Sequence, residues 1–195
     1  MPKLTIISFF LLLLSVSVKA QNLDIDLLES INVNRDRSLD GGFKFISDAG
    51  PIISFATPVS LLAVAYFKHD KTLLNKAYVT GAAVIASVVI TQALKYGIDR
   101  RRPYNSYSQI QNEHIESSPS FPSGHTSAIF ATATSLSLAF PKWYVIAPAY
   151  TVATSVAYSR MFLGVHYPSD VLAGMIIGAG SSYLSYKISD WLRKK

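Results

Sequence analysis

Three short stretches of this 195-residue chain carry residue types suited to holding and attacking a phosphate group. The first runs from Lys95 to Arg102-Pro103. A guanidinium meets phosphate oxygens as a planar fork, and an ammonium meets them as a mobile point charge. On a continuous helix these two cations would share a face about two turns apart. Gly97 and Pro103 instead predict an early exit from the helix. The second stretch, Pro122-Ser123-Gly124-His125, directly precedes an apolar run. Proline suits a first helical turn, serine can cap its amides, and glycine lets a ligand approach the backbone. The pattern predicts an anion site at a helix amino end with a histidine beside it. The third is Ser159-Arg160 followed by His166 and Asp170, with Pro168 predicting the start of the last helix. A carboxylate in that first turn can fix the imidazole tautomer and leave the other ring nitrogen as a lone pair facing phosphorus. It can equally be a helix-capping acid beside an unrelated histidine. Each stretch alone has such a plain reading: Lys95 as a snorkelling lysine, 122–125 as a turn.

The elements that must position these side chains are helical. Half of the chain is apolar and 15% is charged, well below the roughly 25% of soluble domains. Apolar stretches near 51–67, 77–96, 126–140, 143–158 and 171–187 predict an all-α helical bundle, integral to a membrane, with five to six transmembrane helices. A compact soluble bundle is the competing architecture. Thr80, Gly81, Ser87, Thr91, Gly174, Gly178, Gly180, Ser181 and Ser182 suit close helix packing in lipid. Residues 1–20 read as a signal peptide or a first transmembrane helix, with Lys3, an apolar run from Leu4 to Leu14, and Val18-Lys19-Ala20 at the end. Residues 21–50 read as an amphipathic amino-terminal segment with Leu23, Leu27, Leu28 and Ile31 on one helical face and a turn at Asp40-Gly41-Gly42. Residues 51–195 form the helical-bundle domain.

Charge placement orients the bundle. With the amino end cytoplasmic, Lys68, Lys71, Lys76, Lys142 and the tail Arg193-Lys194-Lys195 fall inside, as positive loops do. Arg100, Arg101 and Arg102 break the rule by falling outside, which is tolerable if something anionic binds there. All three chemistry-bearing stretches then lie at outer helix ends, around one pocket. The net charge of +6 sits in clusters beside apolar runs without interleaved aromatics, which argues against nucleic acid as a partner. The absence of cysteine excludes a disulfide scaffold and thiolate metal sites.

Taken together, the spacings Lys95 to Arg102-Pro103, Pro122-Ser123-Gly124-His125 and Ser159-Arg160 to His166 to Asp170 resemble the type-2 phosphatidic acid phosphatase family. That family includes lipid phosphate phosphatases, bacterial acid phosphatases and vanadium-dependent haloperoxidases. The resemblance covers roughly residues 50 to 190. It implies that His166 is the nucleophile, that Asp170 orients it, and that His125 is the general acid. It further implies phosphate binding by Lys95, Arg102, Ser123, Gly124 and Arg160, with no metal and no cofactor. Arg100 and Arg101 are not motif positions, and His114 in the polar loop 104–120 is assigned no role. The expected protein is a membrane phosphatase acting on lipid phosphate monoesters or diphosphates. Phosphatidic acid, phosphatidylglycerol phosphate, an isoprenyl diphosphate or a lipid A type anchor are its candidate substrates. Its expected place is the bacterial inner membrane, multi-pass, with the active site on the periplasmic face. A soluble exported acid phosphatase and a non-catalytic phospholipid-binding membrane protein are the alternatives.

Overall fold

Apolar runs rich in Ala, Leu, Val and Ile and interrupted only by short polar turns favour helices. The computed structural model, which describes residues 23–113 and 115–194, contains helices and no strand among those residues. The expected signal peptide or first span at 1–20, and His114, lie outside the described residues. A helical stretch over 23–32 (α1) leads through a 3-10 turn at Arg37–Leu39 into α2, Asp40–Phe67. Then follow α3 (Lys71–Ile98), a single turn α4 (Pro103–Ser106), α5 (Gly124–Ala139), α6 (Trp143–Phe162) and α7 (Pro168–Arg193).

The central element is α5, which packs against α2, α3, α6 and α7. It holds 16 residues, about 24 Å of helix, so it sits inside a sleeve of longer neighbours. Glycine makes its contact with α7 possible. A methyl at Gly178 would lie 2.3 Å from the Ser127 carbonyl oxygen, and one at Gly174 2.7 Å from that of Ser123. Hydroxyls tie the helices where apolar contact alone would not: Thr91 Oγ1 meets Ser127 Oγ at 2.8 Å, and Ser182 Oγ donates to the Ala131 carbonyl at 2.6 Å. Gly180 departs from the expected packing role. It is exposed, with nothing near its missing side chain.

The outer surface is apolar. Ile52, Val59, Ile85, Val89, Ile176, Leu184 and Ile188 are all more than half exposed on α2, α3 and α7. An apolar surface of this extent is unusual in water and is the normal covering of a bilayer span. Two stretches, Arg37–Phe67 and Lys71–Ser106, are long and apolar enough to cross a membrane, fewer than the five to six expected. Phe67, Trp143, Tyr144 and Trp191 lie exposed at the same end of the bundle, matching an aromatic belt at one interface.

Three local expectations are corrected. Asp40-Gly41-Gly42 is the first turn of α2 rather than a reverse turn, so this helix begins eleven residues before position 51. The glycines punctuate only where the backbone needs positive φ, and among glycines that is Gly164 alone in the described residues. Asp40 is held by Arg35, with Nε to Oδ1 at 2.7 Å, which anchors the helix start. In α3, Gly97 stays helical and the exit comes at Asp99, which adopts the left-handed conformation (φ 49°) and donates its N–H to the Lys95 carbonyl. Aspartate tolerates that conformation better than most side chains. In α1 the buried face is Asp24, Ile25, Leu28 and Asn32, while Leu23 and Leu27 are exposed. Polar partners on the protein body, not apolarity alone, select this face.

Candidate active site

Four helix ends meet at the end of the bundle opposite the aromatic belt. They are the carboxyl ends of α3 and α6 and the amino ends of α5 and α7. A cavity of about 250 Å³ opens there, lined among others by Thr91, Lys95, Arg102, Glu116, Gly124, His125 and His166. Five of the eight expected site residues thus face one space. The other three stand behind it. Asp170 is fully buried against His166, Arg160 reaches the cavity through Glu116, and Ser123 is enclosed.

The nucleophile candidate has a determined tautomer. A guanidinium carries only donors, and Arg102 Nη1 lies 3.4 Å from His166 Nε2, so Nε2 is the acceptor. Nδ1 therefore carries the hydrogen, facing Asp170 Oδ2 and Ser120 Oγ, each at 3.4 Å. Burial lowers the His166 pKa to about 3 against the opposing hydrogen bond that the ring donates to Asp170, so the ring is neutral and the contact is not an ion pair. A neutral imidazole with an unprotonated Nε2 on the cavity side, its lone pair engaged only by the long 3.4 Å contact from Arg102, is the form that can attack phosphorus. The unfolded chain takes up this proton near the ordinary value of 6.5 and the folded protein only near 3. Between these values the unfolded state binds more protons. The contribution to stability is full above pH 6.5 and is lost as pH falls toward 3. Melting temperature should fall over that window, and less steeply in His166→Ala. An equal slope in both proteins would refute the buried neutral ring.

Asp170 closes the amino end of α7. Its Oδ2 accepts from Tyr167 N at 3.0 Å and from Ser120 Oγ at 2.5 Å, and its Oδ1 accepts from Arg100 Nη1 at 2.6 Å. The two readings of Asp170 left open by the sequence, helix cap and histidine partner, are both realised by one carboxylate.

The cations are held by carbonyls and by one acid. Lys95 Nζ donates to the Pro119 carbonyl, and Arg102 Nε to that of Ser118 at 2.8 Å. Arg102 Nη1 also donates to the Val165 carbonyl at 2.9 Å. Arg160 donates to Glu116 and to Ser47 Oγ. Its Nε is a buried donor with no partner among the described residues, a direction from which an anionic oxygen could be bound. Glu116, 3.7 Å from Arg102 as well, escaped the sequence reading. Burial alone would raise its carboxyl, but the Arg160 guanidinium, with Arg102, outweighs this and holds it down at about 2. Its only sequence signal was an acid within a polar loop between two motifs.

Ser123 differs from expectation. It occupies the position before α5 without capping it, because its Oγ pairs with Thr126 Oγ1 at 2.9 Å. Among the described residues no side chain caps the amino end of α5, which leaves its first amides for an anion. A methyl at Gly124 would sit 3.8 Å from Thr91 Cγ2 and 4.0 Å from Lys95 Cε, ordinary contacts on the cavity side. Gly124→Ala should thus leave the melting temperature unchanged or raised, since a helix favours alanine by roughly 1 kcal/mol. The same methyl should raise KM by about tenfold by holding substrate off the amides and Lys95. Unchanged KM would remove Gly124 from the binding surface.

The loop walls are fixed from afar. Asn32 on α1 donates to the carbonyls of Gln111 and Phe162, both at 2.8 Å, and accepts from Gln111 N at 2.8 Å. Gly164, at φ 70°, makes room for this knot, since a methyl there would lie 2.5 Å from the Gln111 carbonyl oxygen. Neither Asn32 nor Gly164 had a sequence signal that set it apart.

The chain and its fold resemble known proteins. The chain is 30% identical over 192 residues to an undecaprenyl-diphosphatase of Sulfolobus acidocaldarius, covering 94% of this chain and 89% of that one. It is 35% identical over 135 residues to a lipid A 1-phosphatase of Rhizobium johnstonii, covering 62% of this chain and 54% of the relative. Its fold superposes on the crystal structure of Aquifex aeolicus LpxE with a TM-score of 0.73 at 26% identity, over 85% of this chain and 95% of that one. A transmembrane PAP2 type phosphatidylglycerolphosphate phosphatase from Bacillus subtilis shares the fold at a TM-score of 0.74 and 24% identity, with 93% of each chain covered. The PAP2 superfamily model matches residues 76–194, which contain all three motifs, and the chain belongs to that superfamily.

Proposed function

We propose that this protein is a multi-pass membrane phosphatase that removes a terminal phosphate from a lipid monoester or diphosphate. The observation that carries this reading is the convergence of Lys95, Arg102, Gly124, His125 and His166 on one cavity at the end of an apolar-surfaced bundle. His166 Nε2 attacks phosphorus and forms a phosphohistidine as the bond to the leaving oxygen breaks. His125 delivers a proton to that oxygen. Water then attacks the phosphohistidine, His125 accepts its proton, and inorganic phosphate leaves with His166 restored. Lys95, Arg102, Arg160 and the amides at Gly124 hold the phosphoryl oxygens, while Ser123 keeps the wall in place, its N–H donated to the Asp170 carbonyl at 3.0 Å and its hydroxyl paired with Thr126. Phosphoryl transfer asks for this positioning and charge stabilisation more than for covalent assistance.

The relatives named undecaprenyl-diphosphatase and lipid A 1-phosphatase support a phosphate carried on a lipid. The apolar outer surface favours this over a soluble exported acid phosphatase, and a neutral, oriented His166 favours catalysis over simple phospholipid binding. The test is phosphate release by the detergent-purified protein from phosphatidic acid, phosphatidylglycerol phosphate, an isoprenyl diphosphate and a lipid A type phosphate. His166→Ala serves as the control. Turnover of at least one lipid, absent in the variant, is expected. Failure on all of them ends the proposal.

The active site opens on the extracytoplasmic face. The end carrying Lys68, Lys71, Lys142 and Arg193 supports a cytoplasmic assignment for the opposite side. The chain has no cysteine, so single cysteines report topology cleanly. Arg101→Cys, at an exposed site beside the cavity end, should react with a membrane-impermeant maleimide in intact cells, and Lys142→Cys should not. The reverse pattern would invert the orientation.

A further inference from the structure

Arg100 lies outside the three motifs and does not line the cavity, yet it is among the most engaged cations in the molecule. Its Nη1 donates to Asp170 Oδ1 at 2.6 Å and to Ser169 Oγ at 2.7 Å, and its Nη2 donates to Asp24 Oδ2 at 2.7 Å. The guanidinium carbon sits 3.8 Å from the centroid of the Tyr167 ring, so the group is clamped from its face as well. Asp24, on α1, is itself 7% exposed and accepts from Ser169 N at 2.8 Å and Ser169 Oγ at 2.5 Å. One guanidinium thus bridges the amino-terminal helix to the carboxylate behind His166. This arginine on the outer face is answered by protein carboxylates.

The consequence lies in how Asp170 divides its oxygens. Arg100 takes Oδ1, and Oδ2 is left for Ser120, Tyr167 N and His166 Nδ1. A carboxylate pinned through one oxygen cannot rotate about its last bond, so the other keeps its aim. Asp170 is completely buried. Without Arg100 it would be left with hydrogen bonds but no cation in contact, and it would turn or take up a proton. Either change removes the fixed acceptor that keeps the hydrogen on His166 Nδ1 and the lone pair on Nε2.

We propose that Arg100 is a positioning residue for the Asp170–His166 pair and that Asp24 holds Arg100 in place, making α1 a working part of the active site. This rests on the His166-centred hydrolysis described above. Because neither residue reaches the cavity, their loss acts on turnover and not on substrate affinity. A role in drawing anionic substrate to the membrane surface would do the opposite.

The experiment is steady-state kinetics on whichever lipid the wild type turns over, for Arg100→Gln, Asp24→Asn and the double variant, with melting temperatures measured alongside. Arg100→Gln is expected to lower kcat about tenfold or more, with KM within about twofold. Asp24→Asn, the gentler change, should lower kcat about threefold at unchanged KM, and it serves if Arg100→Gln does not fold. The double variant should be no slower than Arg100→Gln alone, because Asp24 acts through Arg100. Wild-type kcat in Arg100→Gln, a raised KM with kcat intact, or additive losses in the double variant would each overturn the proposal. If the wild type turns over no lipid, the hydrolysis reading fails by itself. The positioning claim is then read from modification of His166 by diethyl pyrocarbonate, mapped by mass spectrometry at pH 7. A slower rate is expected in Arg100→Gln or in Asp24→Asn, since fewer rings keep the lone pair on Nε2, and an unchanged rate overturns it.

Discussion

His166→Ala is expected to lower kcat by about 10⁴-fold or more, the scale on which loss of a covalent nucleophile acts. No other group in the cavity replaces it. Lys95 and Arg102 are cations with no lone pair to offer phosphorus, and His125 lies on a separate element, at the amino end of α5. The variant should also fail to incorporate labelled phosphate from substrate, while the wild type, quenched in alkali, carries label on His166. KM should change little, because the cations and amides that hold the phosphoryl group remain. The fold should survive. The ring is buried, but its hydrogen bonds at 3.4 Å are long, and Asp170 keeps Arg100, Ser120 and Tyr167 N as partners. Label recovered on another residue, or activity within tenfold of wild type, would move the nucleophile elsewhere.

The second large effect concerns His125. Replacement by glutamine removes the proton donor to the leaving oxygen, and general acid catalysis contributes about 10²- to 10⁴-fold. The loss should depend on the leaving group. A lipid alcohol leaves poorly without protonation, so a monoester should show the full loss. A lipid diphosphate expels a phosphate and p-nitrophenyl phosphate expels a stabilised phenolate, and neither needs much help. On p-nitrophenyl phosphate the variant should release about one equivalent of nitrophenol in a burst. Slow turnover should follow, since water still needs a base to attack the phosphohistidine. Equal losses on all three substrates, with no burst, would show that His125 positions rather than protonates. The same comparison reports on the physiological ester: a small loss in the burst rate on the preferred lipid, ahead of the slow turnover common to all, marks it as a diphosphate.

Much of this site was legible in the residues. Lys95, Arg102, Gly124, His125 and His166 were identified from type and spacing, and all five line the cavity. Helix ends explain why. A motif placed at the end of an apolar run is delivered to one level of a bundle whatever the packing details. The helices themselves were legible for the same reason, although their ends were not. Asp40-Gly41-Gly42 continues a helix because Arg35 and the 3-10 turn before it hold the start, an interaction across sequence that local signals omit.

Residue types and intervals alone determined that this chain is helical, that it presents cations and two histidines at coincident helix ends, and that phosphate chemistry is what they suit. These are local properties, set by side-chain chemistry and by the periodicity of the chain. Tertiary structure decided which groups support that chemistry. Glu116 reaches Arg160 across 44 positions, Arg100 joins Asp24 across 76, and Asn32 ties a loop and the end of α6, 79 and 130 positions away. Such partners carry no spacing rule. Their pairing follows from helix packing that brings distant segments to one end of the bundle, and from burial, which makes an unpaired charge costly.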